Sequence, residues 1–338
     1  MEAAGQEKNS LVKEVRVAFG TGVVLGLWRG QLLETPTTAH FLTYYDGRCS
    51  ANCKFCPQAR ESTADLKMLS RVVWPKFGLE KVLAALSRNS KEFQRVCIQA
   101  VNFPKAMDVV CELVSCVKNV CKLPVTVSCQ PLTSEDMNRL VDVGVERICV
   151  ALDVANQEIF SRVKGNEYSW EGHLKTLEKA KTVFGGKVST HLIVGLGESE
   201  EDMIRTIQLL HDRGITIGLF AFTPVAGIQL SGKSSPDLAS YRKIQLARFL
   251  IVKNLSNADR MKFENGQLIS FGIGQDLLNR TIESGEPFST SGCPGCNRPF
   301  YNESPRGPIY NYPRKPKRND IKEIKKAFSL MHLSTEQS

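Results

Sequence analysis

Three cysteines stand within ten residues in CSANCKFCPQ, spaced as Cys49-x3-Cys53-x2-Cys56. Thiolates are soft ligands that select zinc or iron–sulfur clusters. A structural zinc site closes with four Cys or His ligands, and a [4Fe-4S] cluster held by protein alone also takes four thiolates. Neither set is completed nearby, because the next cysteine is Cys97 and the nearest upstream histidine is His40. Three thiolates imply an iron left open to a ligand that is not protein. A zinc site is the rival reading.

A second short motif lies near the C-terminus, where Cys293-x2-Cys296 encloses Pro294 and Gly295, the residues of a tight turn. As a zinc knuckle it lacks two visible partners, and as a redox pair it lacks the usual strand-to-helix context. A second iron–sulfur cluster is the favoured reading, with the Ser291 hydroxyl as a weak, releasable ligand. Cys111, Cys116 and Cys121 are five residues apart in one predicted helix; five residues advance about 500°, so the three share no face and read as small fillers. Cys149 reads the same way. GLGESE, from 195, is not a dinucleotide fingerprint, since Glu200 stands where the last glycine would be.

The elements that must position these residues alternate between β-rich runs and helical patterns, the signature of parallel βα units. The expected strands are 40–45, 93–100, 124–130, 147–153, 187–195, 216–224, 258–263 and, less regular, 268–272. Thr133 with Asp136 and Ser199 with Asp202 have the spacing of capping boxes, and Gly144 and Gly214 stand as helix stops. Eight strands, most followed by a helix, predict an α/β fold: a (β/α)8 TIM-type barrel, complete or partial, over 40–284. Residues 1–39 form an N-terminal helical segment, and 285–338 an irregular extension. Chemistry in such a barrel sits at the C-terminal ends of the strands. The three-cysteine loop, Asp153, the 195–198 loop and 223–227 all fall there.

The trio, with Phe55 before its last cysteine, resembles the motif of the radical SAM superfamily. HLIVGLGESEED resembles that superfamily's fifth-strand signature, and VCIQAVNFP and VALD are similar to the second and fourth strands of biotin synthase. The resemblance implies that Cys49, Cys53 and Cys56 hold a [4Fe-4S] cluster whose open iron binds S-adenosylmethionine, the source of a 5′-deoxyadenosyl radical. It also implies cofactor contacts. Asp153 would bind the ribose, and Ala100 to Asn102 the methionine amino group. Arg162 would pair with the carboxylate. Ile193, Phe222 and Pro224 would flank the adenine, whose edge Phe55 would position. Taken alone, Asp153 could cap the next helix and Arg162 could be surface. Cys97 and Cys129 fall where biotin synthase has two ligands of its sulfur-donating cluster, with Arg260 near that cluster's arginine; Ser189 replaces the third cysteine. The auxiliary cluster is therefore expected on Cys293 and Cys296, completed by Cys129 and Cys97. This combination is most similar to the two-protein lipoyl synthase group. That implies insertion of sulfur into an octanoyl chain on a carrier protein, a second radical SAM subunit and a low-potential electron donor; biotin synthase and non-sulfurating relatives are the alternatives. Which residues are catalytic in the narrow sense is left unknown.

Bulk properties fit an ordinary soluble globular protein of one large domain or two smaller ones, with 42% hydrophobic and 23% charged residues in 338. The eleven cysteines form no paired framework and no convincing signal peptide precedes them. They read as reduced thiols in an oxygen-poor cytoplasm. The apolar run 17–28 is too short to cross a bilayer and is expected to be a buried helix. Between Arg306 and Lys326, eight Lys or Arg face only Asp320 and Glu323. This tail is read as a solvated, partly flexible arm able to dock an acidic carrier; without an aromatic ladder it does not favour nucleic acid.

Overall fold

The computed structural model describes residues 10–329. Its strands are β1 (Glu14–Val17), β2 (Thr38–Thr43), β3 (Met68–Leu69), β4 (Val72–Val73), β5 (Lys76–Gly78), β6 (Arg95–Gln99), β7 (Val125–Cys129), β8 (Val145–Val150), β9 (Val188–Val194), β10 (Thr216–Ala221), β11 (Lys262–Glu264) and β12 (Gln267–Ser270). The helices are α1 (Phe19–Val24), α2 (Leu79–Asn89), α3 (Ala106–Val120), α4 (Ser134–Asp142), α5 (Gln157–Val163), α6 (Trp170–Val183), α7 (Glu200–Asp212), α8 (Leu238–Val252), α9 (Gln275–Ser284) and α10 (Arg318–Ser329).

One sheet runs in the order β10-β9-β8-β7-β6-β2-β1-β5. The strands from β2 through β6 to β10 are parallel, while β1 and β5 add an antiparallel edge. The barrel is thus the partial form. The expected seventh and eighth strands pair only with each other, as the separate antiparallel hairpin β11–β12. Asn265 and Gly266, both at positive φ, make its two-residue turn, and strands joined so tightly can only run antiparallel.

The N-terminal segment also departs from the sequence reading. Residues 14–17 are a strand against β2, and the helix within 17–28 is the six-residue α1 alone. Three glycines and β-branched residues give that stretch poor helix propensity, and Trp28 is exposed.

Strand alternation separates two faces. On β6 and β7, Val96, Ile98, Val125 and Val127 are buried in the main hydrophobic cluster. Arg95, Cys97, Gln99, Thr126 and Ser128 point the other way, into the barrel. Thr133 caps α4 through the Asp136 amide, and Ser199 with Asp202 forms the full reciprocal box on α7. The tail is not a free arm as far as it is described, because α10 buries Ile324 and Phe328. The Phe328 ring lies 6.0 Å from that of Phe288. Residues 330–338 of the expected tail lie outside the described part.

Candidate active site

Inside the partial barrel is a cavity of about 240 Å³ lined by Cys49, Cys53 and Cys56 and, in addition, by Cys97, Cys129, Cys149, Cys293 and Cys296. The trio sits on the loop leaving the C-terminal end of β2. That loop is pinned from several sides. Arg48 donates to the carbonyls of Pro57 at 2.9 Å and Ala64 at 2.7 Å, and the Lys54 amide to Val163 at 2.8 Å. The Asn102 amide reaches Cys49 Sγ at 3.4 Å, and Cys53 Sγ donates to the Lys164 carbonyl at 3.6 Å. Burial pushes Cys53 up to about 11 and Cys56 higher, with neighbouring thiols adding to both shifts. Buried thiols of this kind need a cation to hold them as thiolates. Among the described residues no three His, Cys, Asp or Glu side chains are placed to grip one metal ion.

Asp153 follows β8 and lies in the left-handed region at φ 68°. Backbone bonds to His191 and Ile193, each 2.8 Å, hold it there. One carboxylate oxygen receives Lys164 Nζ at 2.6 Å, and that ammonium also donates to the Ala151 carbonyl at 3.0 Å. Lys164 is completely buried. Burial works against its charge, but Asp153 and the Cys53 and Cys56 thiols outweigh this and keep its pKa above the ordinary value. The sequence reading missed this lysine. Its signal was weak, a lysine closing a short helix, where an exposed side chain is the default.

Ala100, Ile193, Phe55 and Phe222 line the cavity beside the trio. Asn102 stands at its edge, its side-chain amide on Tyr168 Oη at 2.5 Å. Two expected contacts are not brought in. Arg162 is half-exposed on α5, 3.7 Å from Glu158, and Pro224 is not part of the wall. The 195–198 loop turns on itself, since Glu198 accepts from the amides of Gly195 and Leu196.

The second cysteine group is deeper in the barrel. β6 contributes Cys97 and β8 contributes Cys149, whose register partner on β9 is Ser189. Cys293 and Cys296 come from the C-terminal strap, which bridges β10 to β2. Leu219 N–H donates to Ser291 Oγ at 2.9 Å, Thr37 N–H to Asn297 Oδ1 at 2.9 Å, and Arg95 to the Pro294 carbonyl at 3.1 Å. Gly218 permits the approach, since a Cβ there would stand 3.4 Å from the Ser291 carbonyl. Cys293 Sγ lies 3.7 Å from Ser189 Oγ. The strap thus brings a thiol to the place where β9 has a serine.

Burial raises the Cys97 thiol, and Cys293, Cys296 and Cys149, which line the same cavity, add to the rise. Cys149, rather than the expected Cys129, is the one that faces inward with Cys97. The reason is register: Cys129 shares the outward parity of Val125 and Val127 and, though it borders the cavity, joins their hydrophobic cluster. Arg260 lies near Gly272 and outside the wall, whereas Arg298 lines it. That guanidinium lies 3.9 Å from the Phe220 ring centroid and donates to the Ser291 carbonyl at 2.7 Å. His40 and His191 flank the group, with Nε2 3.8 Å from Cys296 Sγ and 3.3 Å from Cys149 Sγ. Burial holds them neutral, at about 3 and about 4.

Residues 46–210 match the family model of the radical SAM superfamily. This part of the chain is a radical SAM domain. Its curated relatives include biotin synthases. That of Clostridium botulinum strain Hall is 23% identical over 73% of this chain and 76% of its own length. That of Prochlorococcus marinus strain MIT 9215 is 24% identical over 80% and 86%, and that of Neorickettsia sennetsu 29% over 64% and 66%. Among solved structures, methylornithine synthase aligns with a TM-score of 0.53 at 14% identity, covering 89% of this chain and 84% of that one. The FeFe-hydrogenase maturase HydG from Carboxydothermus hydrogenoformans aligns at 0.50 and 18% identity, over 61% of this chain and 49% of its own length; these similarities speak for the fold. Membership of this family implies a [4Fe-4S] cluster and S-adenosylmethionine, and the three thiols of the loop are a fitting donor group for that cluster. Among the described residues no helix is long and apolar enough to cross a membrane.

Proposed function

We propose that this radical SAM enzyme inserts sulfur into an unactivated alkyl chain, an octanoyl group carried on a lysine of a small acidic protein or domain, as a lipoyl synthase subunit. The observation that carries this reading is one cavity with a cysteine group at each end. Cys49, Cys53 and Cys56 would hold the cluster that binds S-adenosylmethionine, and Cys97, Cys149, Cys293 and Cys296 an auxiliary cluster able to give up sulfide. When bound, the first cluster and its cofactor supply a radical that takes hydrogen from an aliphatic carbon.

The chain's own residues bind, orient and exclude water. Asp153, anchored on one oxygen by Lys164, has its other oxygen for a diol. Phe55, Ile193 and Phe222 supply flat and apolar surface for a nucleobase. Leu42, Ala51, Leu69 and Val101 line the wall; they suit an alkyl chain and offer it no polar partner. Neutral His40 and His191 place no charge beside the auxiliary thiols. A second radical SAM subunit would share the two insertions, with a low-potential protein as electron donor.

Biotin synthase activity is the second reading, favoured by the names of the curated relatives. Anaerobic reconstitution with iron and sulfide, followed by assay with an octanoyl-lysine carrier peptide and with dethiobiotin, separates the two. Sulfur appearing in the octanoyl product supports the proposal, and product from dethiobiotin alone overturns it.

A further inference from the structure

Behind the strap lies a second, open and mostly polar hollow, walled by Thr37, Gln94, Thr290, Asn297, the outer side of the Cys293–Cys296 turn and Arg248 of α8. Among the described residues no Asp or Glu lines it. Arg248 Nε is shut off from solvent and has no hydrogen-bond partner, and among the described residues no carboxylate forms an ion pair with this guanidinium. Burial draws its pKa down to about 10; Tyr241 opposes the shift and Arg298 adds to it. The residue as a whole is half-buried and faces the open hollow, and a partly desolvated cation with no counter-charge carries part of the cost of a buried one. Other buried cations have partners: Lys164 is paired with Asp153, Lys243 with Glu200 and Arg95 with Glu146, while Arg242 donates to the Ile309 and Tyr310 carbonyls.

We propose that this hollow binds a small oxyanion, a phosphate or a carboxylate, which supplies the charge missing beside Arg248. A planar guanidinium takes either group by paired N–H donors, and the Gln94 amide stands at the rim. The hollow is separate from the substrate cavity. The strap's two cysteines are the wall between them, so an occupied site would brace the turn that carries them.

The test is titration of the full-length protein, before and after anaerobic iron–sulfur loading, with inorganic phosphate and with acetate, read by calorimetry. Wild type should bind in both states, and the stronger of the two ligands identifies the group. Arg248→Gln should weaken binding at least tenfold, Arg248→Lys less. Gln94→Glu, an exposed change that leaves the fold intact, should also weaken it by placing a like charge at the rim. Equal binding by wild type, R248Q and Q94E overturns the proposal. So does binding that vanishes on loading, because Arg248 would then be balancing the cluster's own charge. No binding in either state overturns it as well. None of these results depends on whether sulfur is inserted.

Discussion

The two cysteine groups of the cavity are assembled in opposite ways. The trio comes from one loop of eight residues, Cys49 to Cys56, fastened by its own backbone bonds and by Arg48. The deeper group draws on β6, β8 and a strap from beyond α9, and exists only once the sheet has its register. A site made by local spacing can be read from a string of letters. One made by register depends on which face each strand turns inward, and a shift of one residue exchanges the whole set.

That difference can be broken by exchanging neighbours. Cys149→Ala should remove the deeper group's iron and the sulfur-bearing product while leaving S-adenosylmethionine cleavage intact. Cys129→Ala, on the outward face of the adjacent strand, should leave both iron content and product unchanged. Iron analysis beside a cleavage assay reads both, and equal losses in the two variants would mean the register account is wrong.

A smaller effect sharpens the trio's side. Lys164→Met leaves Asp153 buried with no partner, which costs about 3–5 kcal/mol. Chemical denaturation should show that loss, and Asp153→Asn combined with Lys164→Met should recover much of it. If the double variant is no better than the single, the pair is not the support it is taken for.

Sequence legibility follows the same division. The parallel strands from β2 to β10, the caps at Thr133 and Ser199, and the trio were all readable, because propensity, capping and spacing are local. Cys149 was passed over because its inward parity becomes visible only when β8 is aligned with β9. Arg298, at a positive φ within the strap, had no periodic pattern to mark it. The hairpin β11–β12 was a different failure, since Asn265-Gly266 announced it locally and the apolar runs on either side were taken for parallel strands instead.

The strap carries a titratable weakness that the trio's loop lacks. Glu303 is buried with Oε2 unpartnered, and burial lifts its pKa from 4.5 to about 7 against the pull of Arg298, Arg242 and Arg71. Because the folded value is the higher one, there is no cost below pH 4.5 and stability falls as the pH rises to 7. Glu303→Gln should therefore be more stable than wild type at pH 8, by up to about 3 kcal/mol, with the gap closing towards pH 4. A gap that does not change with pH would contradict the assignment.

The smallest effect is expected at the surface. Lys322, exposed on α10, is part of the basic tail. Lys322→Glu should weaken binding of an acidic carrier several-fold at low salt and hardly at all at high salt. Unchanged affinity at low salt would remove α10 from carrier docking.

Iron counting in three proteins after anaerobic reconstitution tests the central claim most directly: wild type, the variant with Cys49, Cys53 and Cys56 all changed to alanine, and the variant with Cys97, Cys149, Cys293 and Cys296 so changed. Two independent clusters predict about eight iron atoms in wild type and about four in each variant. About four in wild type, or none in the variant lacking the trio, would contradict it.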